Sequence, residues 1–477
     1  MKKLTFDESV YTDRRQQLKK LGLNGIALFP ANPEASFNYP ANTYHYRQDS
    51  HFSYFFGLNI PGLAGWIDFD SGEEILFGND VDIDDIIWMG PQPAMTELAA
   101  LAGIGQTQTI EKLDDFVNKA RSQGRKIHYL PPYRAKVMIQ LGLLLGIPAH
   151  EVRNAASVDL IKAVVSLKEI KSDLEIAEIE KAVDVAWLMH TTAMKMARPG
   201  IVEQEIAGTI EGIALALAGP VSFPVILSVD GQTLHNHNHH NTLAKGRMLV
   251  IDAGCELASL YSSDITRTVP VGGKFDTRQR EIYEIVLKAE TESIAAMKPG
   301  LLYRDVHFLA ARIIAQGLKD LGLMKGDVDE AVAAGAHTLF FPHGLGHMLG
   351  MDVHDMEGLG ENYVGYDEHT QRAKEFGTAY LRMGKMLKPG HVLTNEPGIY
   401  FIPALIDKFR AEGKFVNFVN YDKVETYKDF GGIRIEDDVL LTADGHRILG
   451  KPIPKTVADV EATCAQLRDW IRVPGVF

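Results

Sequence analysis

Residues 248–273, MLVIDAGCELASLYSSDITRTVPVGG, hold two β-type runs, MLVIDAG and TRTVPVGG, joined by a connection of mostly small and polar residues. Asp252 closes the apolar run Met248-Leu249-Val250-Ile251, and Asp264 stands just before the second run. A hairpin built on these runs would bring both carboxylates to one place. Two further strand candidates, HVLTNEPGIYF from His391 and GIRIEDDVLLT from Gly432, also carry acidic residues where core packing does not ask for them.

Long helical patterns precede the strands. Ser166 and Glu169 have the spacing of a capping box, and Ile176, Ile179, Val183 and Trp187 follow at helical intervals until Pro199-Gly200 stops the pattern. The Met196–Gly200 helix end is echoed by Met297-Lys298-Pro299-Gly300, and each is followed by a second amphipathic stretch. The first runs through Ile206, Ile210, Ile213 and Leu217, the second through Leu309, Ile313 and Leu318. Two helices and then strands, twice over, predict a pseudo-symmetric α+β domain over residues 161–477. Ahead of it, GIALFP from Gly25, GWIDFD from Gly65, EILFG from Glu74 and KIHYLPP from Lys126 alternate with helical stretches, so residues 1–160 read as a smaller α/β domain.

The bulk numbers agree with two domains. A chain of 477 residues exceeds one ordinary core, and 46% apolar with 23% charged residues is a globular composition. A net charge of −13, spread along the chain, argues against a nucleic-acid partner. The first twenty residues lack the apolar stretch of a secretory signal, and no run approaches the roughly 18 residues of a membrane span, so no membrane association and a cytoplasmic location are expected. Cys255 and Cys464 are the two cysteines, too few for a disulfide framework.

Taken singly, Asp252, Asp264, Glu396 and Glu436 read as turn, cap or solvated residues. Glu396 follows Leu-Thr-Asn and precedes Pro-Gly, at a strand end. In IRIEDDV, Arg434, Glu436 and Asp438 share one face of a strand while Ile433, Ile435 and Asp437 share the other. His343 and His347 in PHGLGH, with His354 in DVHD, put three histidines within twelve residues among glycines that admit close backbone approach. Four carboxylates and one imidazole make a hard, oxygen-rich set suited to a pair of Mn²⁺, Co²⁺ or Zn²⁺ ions.

IDAGCE...SDITRT, PHGLGH...DVHD, NEPGIY and GGIRIEDD stand in the order and context of the signatures of Xaa-Pro aminopeptidases and prolidases, which the chain resembles. These are the proline-specific members of the pita-bread metallopeptidases. YRQDSHFSYFFGL from Tyr46 and IIWMG from Ile86 also resemble their creatinase-like N-terminal domain. The resemblance implies a pita-bread catalytic domain, with Asp252, Asp264, His347, Glu396 and Glu436 holding two divalent ions, Mn²⁺ foremost. It implies substrate-handling roles for His235, His343 and His354, a supporting role for Arg434 beside Glu436, and a Trp88 that reaches the active site of a neighbouring subunit in a homodimer or dimer of dimers. Asp252 and Asp264 stand one position further apart than is commonest in the family, an addition the hairpin connection or a bulge would absorb.

The implied activity is hydrolysis of Xaa-Pro peptides by a metal-bridged hydroxide, with Glu396 as proton carrier as well as ligand. An aminopeptidase that releases the first residue from Xaa-Pro peptides is favoured over a prolidase restricted to dipeptides. The difference would lie in how the segments from Glu357 to Leu387 and from Lys408 to Tyr427 wall the site. Gly344-x-Gly346-x-x-x-Gly350 lacks the βαβ context of a dinucleotide loop. The His235–His240 tract beyond His235 reads as a solvated loop. A non-catalytic binding module is disfavoured because relatives of that kind lose the ligands.

Overall fold

A computed structural model of the chain describes residues 5–466. The chain forms two compact units: one runs up to Lys168 and includes Met356–Tyr363, the other comprises Glu169–Asp355 and the chain from Val364 onward. The division expected at residue 160 falls within the helix Val158–Lys168, all of which belongs to the first unit.

In the first unit, the four strands expected from sequence join Thr107–Gln108 in a mixed five-stranded sheet. Ile26–Pro30 pairs antiparallel with Ala64–Asp68 and parallel with Ile127–His128. Its core is apolar, with Leu28, Trp66, Phe77, Val117 and Leu141 among the buried side chains. Trp88 lies on the helix Ile83–Met89, none of whose residues is buried, and is itself 86% exposed.

The second unit carries the doubled pattern. Helices Asp173–Met196 and Glu203–Leu217 pack as one pair, Thr277–Ala296 and Tyr303–Asp320 as another. Both first helices end just before a Pro-Gly whose glycine has left-handed backbone, φ +89° at Gly200 and +86° at Gly300, a conformation glycine adopts at little cost. Strands Ile226–Ser228, Met248–Ala253 and Ile265–Pro270 form one antiparallel sheet. Val392–Asn395, Asp437–Leu441 and His446–Ile448 form a second, and Gly398–Tyr400 pairs with Gly432–Arg434.

The capping box expected at Ser166 and Glu169 is corrected. The long helix starts after Ser172, which forms the box with Glu175. Ser166 sits inside the preceding helix, its hydroxyl donating to the Ala163 carbonyl. Glu169 is drawn off by Lys385 and Lys388 at 2.5 and 2.7 Å. Two Ser-x-x-Glu spacings lie six residues apart, and tertiary ion pairing chose between them.

Two histidines buried away from the cleft set an acid limit. His307 and His337 are each 1% exposed, their ring centroids 6.3 Å apart, and none of their ring nitrogens has a hydrogen-bond partner. Burial holds them neutral, pushing His307 down to about 3 and His337 to about 4. Unfolding frees both to take up protons below pH 6.5, so their contribution to stability is full above that value and is lost as pH falls toward the folded values. The slope should be about 1.4 kcal/mol per pH unit for each histidine. His307→Leu should lower proton uptake on unfolding between pH 6 and 4 by about one. An unchanged pH slope of denaturant midpoints would count against this assignment.

Candidate metal centre

The hairpin around Asp252 and Asp264 forms as expected. Thr266 pairs directly with Asp252, and Asp264 stands two positions before Thr266, so strand alternation puts all three side chains on one face. The connection closes in a turn between Leu257 and Tyr261, with Leu260 at φ +70°. The register runs unbroken from Thr266–Asp252 to the bridge between Glu256 and Ser262, so neither aspartate is turned away.

Glu436 arrives from the other half of the unit. Its backbone N–H donates to the Thr266 carbonyl at 3.0 Å, and the Thr266 hydroxyl donates to its carboxylate at 2.6 Å. The strand expected across IRIEDDV is interrupted between Arg434 and Asp437, yet the alternation survives. Arg434 reaches the Asp252 carboxylate, and Asp438 accepts the Asp264 backbone N–H at 3.1 Å. Asp437 turns the other way to Arg267 and Lys455, both at 2.6 Å. Every member of this face is buried, so the solvated reading of these carboxylates fails.

His347 and Glu396 enter through crossed backbone bonds: Thr394 N–H to the His347 carbonyl, and Glu396 N–H to the Leu345 carbonyl. Gly346 is required for this approach, since a Cβ there would lie 2.1 Å from the Thr394 oxygen. The His347 Nδ1 faces the Met348 carbonyl at 3.0 Å and so must carry the hydrogen. Its bare Nε2 then points at Asp264, 3.3 Å away, and at Glu396, 3.9 Å away.

A lone pair aimed at carboxylate oxygens is repulsive unless a proton or a metal cation lies between them. The ligand atoms of Asp264, His347 and Glu436 lie within 4.8 Å of one another. Asp252 Oδ1 and Asp264 Oδ1 are buried without hydrogen-bond partners. Burial, reinforced by neighbouring carboxylates, pushes Asp264 and Glu436 well above the usual carboxylate range. Burial also lifts Glu396 to about 8 against the pull of Arg434. A divalent ion would reverse each of these penalties at once, so the residue set fits a metal.

These groups floor a cleft of about 850 Å³ lined by second-unit residues. His235, His343 and His354 all line it, and the His354 ring lies 3.8 Å from that of His347. Arg434 donates to the Tyr400 hydroxyl at 2.9 Å, and that hydroxyl lies 2.9 Å from His343 Nε2. His343 Nδ1 faces the Gly344 carbonyl at 2.8 Å, so Nδ1 bears the hydrogen and Tyr400 donates to Nε2. Burial, aided by Arg434, pushes His343 down to about 3, in keeping with a neutral ring.

Tyr400 and Thr266 are thus site residues not singled out from sequence. Each stands inside a recognised motif, but there a tyrosine or threonine reads as ordinary strand material. His237, read from sequence as part of a solvated loop, also lines the cleft. The walls come from the two segments expected to supply them, with Phe376, Tyr380 and Arg382 from one and Lys408 from the other. Ile402, Ala404 and Leu405, just ahead of the second segment, complete that side.

The sequence profile of metallopeptidase family M24 matches residues 177–443, more than half of the chain. The chain belongs to metallopeptidase family M24. Within this M24 protein, residues 11–128 match the N-terminal domain of aminopeptidase P. It is 31% identical over 428 residues to a human Xaa-Pro dipeptidase, covering 88% of this chain and 84% of that one. A probable Xaa-Pro aminopeptidase of Fusarium vanettenii is 32% identical over 421 residues, covering 87% of each chain. Among solved structures, Escherichia coli aminopeptidase P in complex with substrate superposes with a TM-score of 0.79 at 30% identity, over 96% of this chain and 98% of that chain. A Pseudomonas aeruginosa aminopeptidase gives 0.80 at 28% identity, over 97% and 99%. The fold is therefore α+β, a pita-bread catalytic domain preceded by a smaller creatinase-like domain. Among the described residues no helix is long and apolar enough to cross a membrane.

Proposed function

We propose that this chain is a metal-dependent exopeptidase that hydrolyses Xaa-Pro bonds, releasing the first residue from Xaa-Pro peptides. The observation that carries this reading is the bare His347 Nε2 aimed into a set of buried carboxylates on the floor of a peptide-sized cleft. Asp252, Asp264, His347, Glu396 and Glu436 would hold two divalent ions, with Mn²⁺ our choice over Co²⁺ or Zn²⁺ for an oxygen-rich set. When bound, such a pair supplies Lewis acidity and a water whose pKa falls toward about 7.

The chain's own groups then handle protons and geometry. Glu396 collects a proton from the attacking water and delivers it to the proline nitrogen as the peptide bond breaks. That nitrogen is a tertiary amide without a hydrogen, so recognition rests on pocket shape and on this protonation. His354 would donate to the carbonyl oxygen as negative charge builds there. The Arg434–Tyr400–His343 chain holds His343 at the site, and His235 faces it from the exposed edge. We place Trp88 at a subunit interface of a homodimer or dimer of dimers, since a tryptophan 86% exposed on a helix with no buried residue asks for a partner. Residues 161–477 would carry the catalysis, and the location would be cytoplasmic.

Aminopeptidase and dipeptidase share this floor and differ in how the far end of the cleft is closed. With Mn²⁺ added, Xaa-Pro-Yaa peptides should be cleaved at least as well as Xaa-Pro dipeptides. Cleavage of dipeptides alone would favour a prolidase, and cleavage of neither would sink the proline-peptidase reading.

A further inference from the structure

His235 belongs to a stretch that cannot order itself. Residues 229–241, VDGQTLHNHNHHN, are almost entirely polar, and beyond Gly231 none of them is buried. Such a loop has no core of its own, so its shape depends on what ties it down: Asn236 donates to the Ser228 hydroxyl at 3.1 Å, His239 Nδ1 lies 3.0 Å from the Leu227 carbonyl, and its two ends must be held as well. One buried carboxylate outside the metal centre holds them.

Glu203, at the start of the helix Glu203–Leu217, is 0% exposed. Its Oε1 accepts the Val229 backbone N–H at 2.7 Å and the Asn241 side-chain amide at 3.2 Å; its Oε2 accepts the Asn241 backbone N–H at 3.3 Å. The backbone closes the arrangement from the same helix turn. Glu203 N–H donates to the Asn241 carbonyl, and Gln204 N–H to the His239 carbonyl, both at 3.0 Å. Asn241 also reaches Asp230 at 3.2 Å, and Arg247 holds Asp230 and the Val229 carbonyl at 3.1 and 3.0 Å.

A single side chain thus ties the first and last residues of the loop together. His235 stands six positions from each, at the middle of the clamped segment, and it and His237 line the cleft. Charge-assisted bonds to backbone N–H groups are among the stronger hydrogen bonds, and leaving those donors buried and unmade costs more than the bonds contribute.

We propose that Glu203 is the positioning residue for His235, setting the substrate edge of the cleft from outside it through the two ends of the 229–241 loop. This rests on the proline-peptidase reading only for its kinetic arm. The Glu203 carboxylate bonds to Val229 and Asn241, at the two ends of the loop, so its loss acts through the loop.

The test is a double-mutant cycle on an Xaa-Pro peptide, with hydrogen exchange as a second readout. Glu203→Ala should speed amide exchange across 229–241, keep the wild-type metal content per chain, and lower kcat/KM about tenfold or more. In a His235→Ala background the same substitution should cause no further loss, because the group it positions is gone. Losses that multiply in the double variant overturn the proposal, as does unchanged exchange of the loop. If Glu203→Ala does not fold, Asn241→Ala takes its place in the same cycle, since at a half-buried position it removes only the side-chain bonds to Glu203 and Asp230. If the wild-type protein cleaves no proline peptide, the activity reading fails by itself, and the exchange measurement still decides whether Glu203 holds the loop.

Discussion

Glu396→Gln should abolish turnover while the protein stays folded. Glutamine keeps the size of the side chain and one carbonyl oxygen, and the backbone bond from Glu396 N–H to Leu345 that seats the residue is untouched. What goes is the group that can both take and give a proton. Burial already pushes this carboxyl up to about 8, so in the metal-free protein it holds a proton near neutrality, and glutamine resembles that neutral state. The folded metal-free variant should therefore be at least as stable as the wild type. Proton transfer by a placed side chain is worth about 10²–10⁴ in rate, and the proposed ligand also loses its negative charge, so kcat should fall by at least about 10³. Retained activity at saturating metal would remove Glu396 from the mechanism.

Asp264→Asn should separate metal binding from folding. Asp264 lies 3.3 Å from His347 Nε2 and within 4.8 Å of the Glu436 carboxylate, and its Oδ1 is buried without a partner. Burial and the surrounding carboxylates raise its folded value above the ordinary one near 3.8. The metal-free folded chain thus keeps a proton that the unfolded chain releases. Its contribution to stability is full below about pH 4 and declines as pH rises toward the raised folded value. Asn removes that share of the decline, so the metal-free variant should be more stable than wild type at neutral pH. With metal the order reverses. Elemental analysis should find at least one ion fewer per chain, and the stabilisation produced by added Mn²⁺, about 2.7 kcal/mol at a hundredfold excess over Kd, should largely vanish. Full occupancy in the variant would count against the ligand set.

Much of this site was legible in the sequence because its residues stand at places where local rules are broken. Carboxylates close apolar runs at Asp252 and Glu396, and histidines sit among glycines at 343–347. Other parts were invisible for identifiable reasons. Tyr400 and Thr266 occupy strand positions that their residue types fill by default, and only the hydrogen bonds to Arg434, His343 and Glu436 distinguish them. The capping box at Ser172 competed with an identical spacing at Ser166, and no local signal ranks the two.

Sequence by itself determined the two-part α+β organisation, the doubled helix-pair pattern and the face that Arg434, Glu436 and Asp438 share, because hydrophobic period and strand alternation are local properties of the chain. Tertiary structure alone decided the rest. Residues 264 and 436 are brought together by the backbone bond from Glu436 to Thr266, 170 positions away in sequence, and the tautomer of His347 is set by a carbonyl that only the folded chain presents. Likewise, a glutamate that reads as an ordinary first-turn helix residue closes a loop 26 to 38 positions downstream. Charges gathered from distant segments acquire their energies only when burial removes the water between them, and no local pattern of residues encodes that removal.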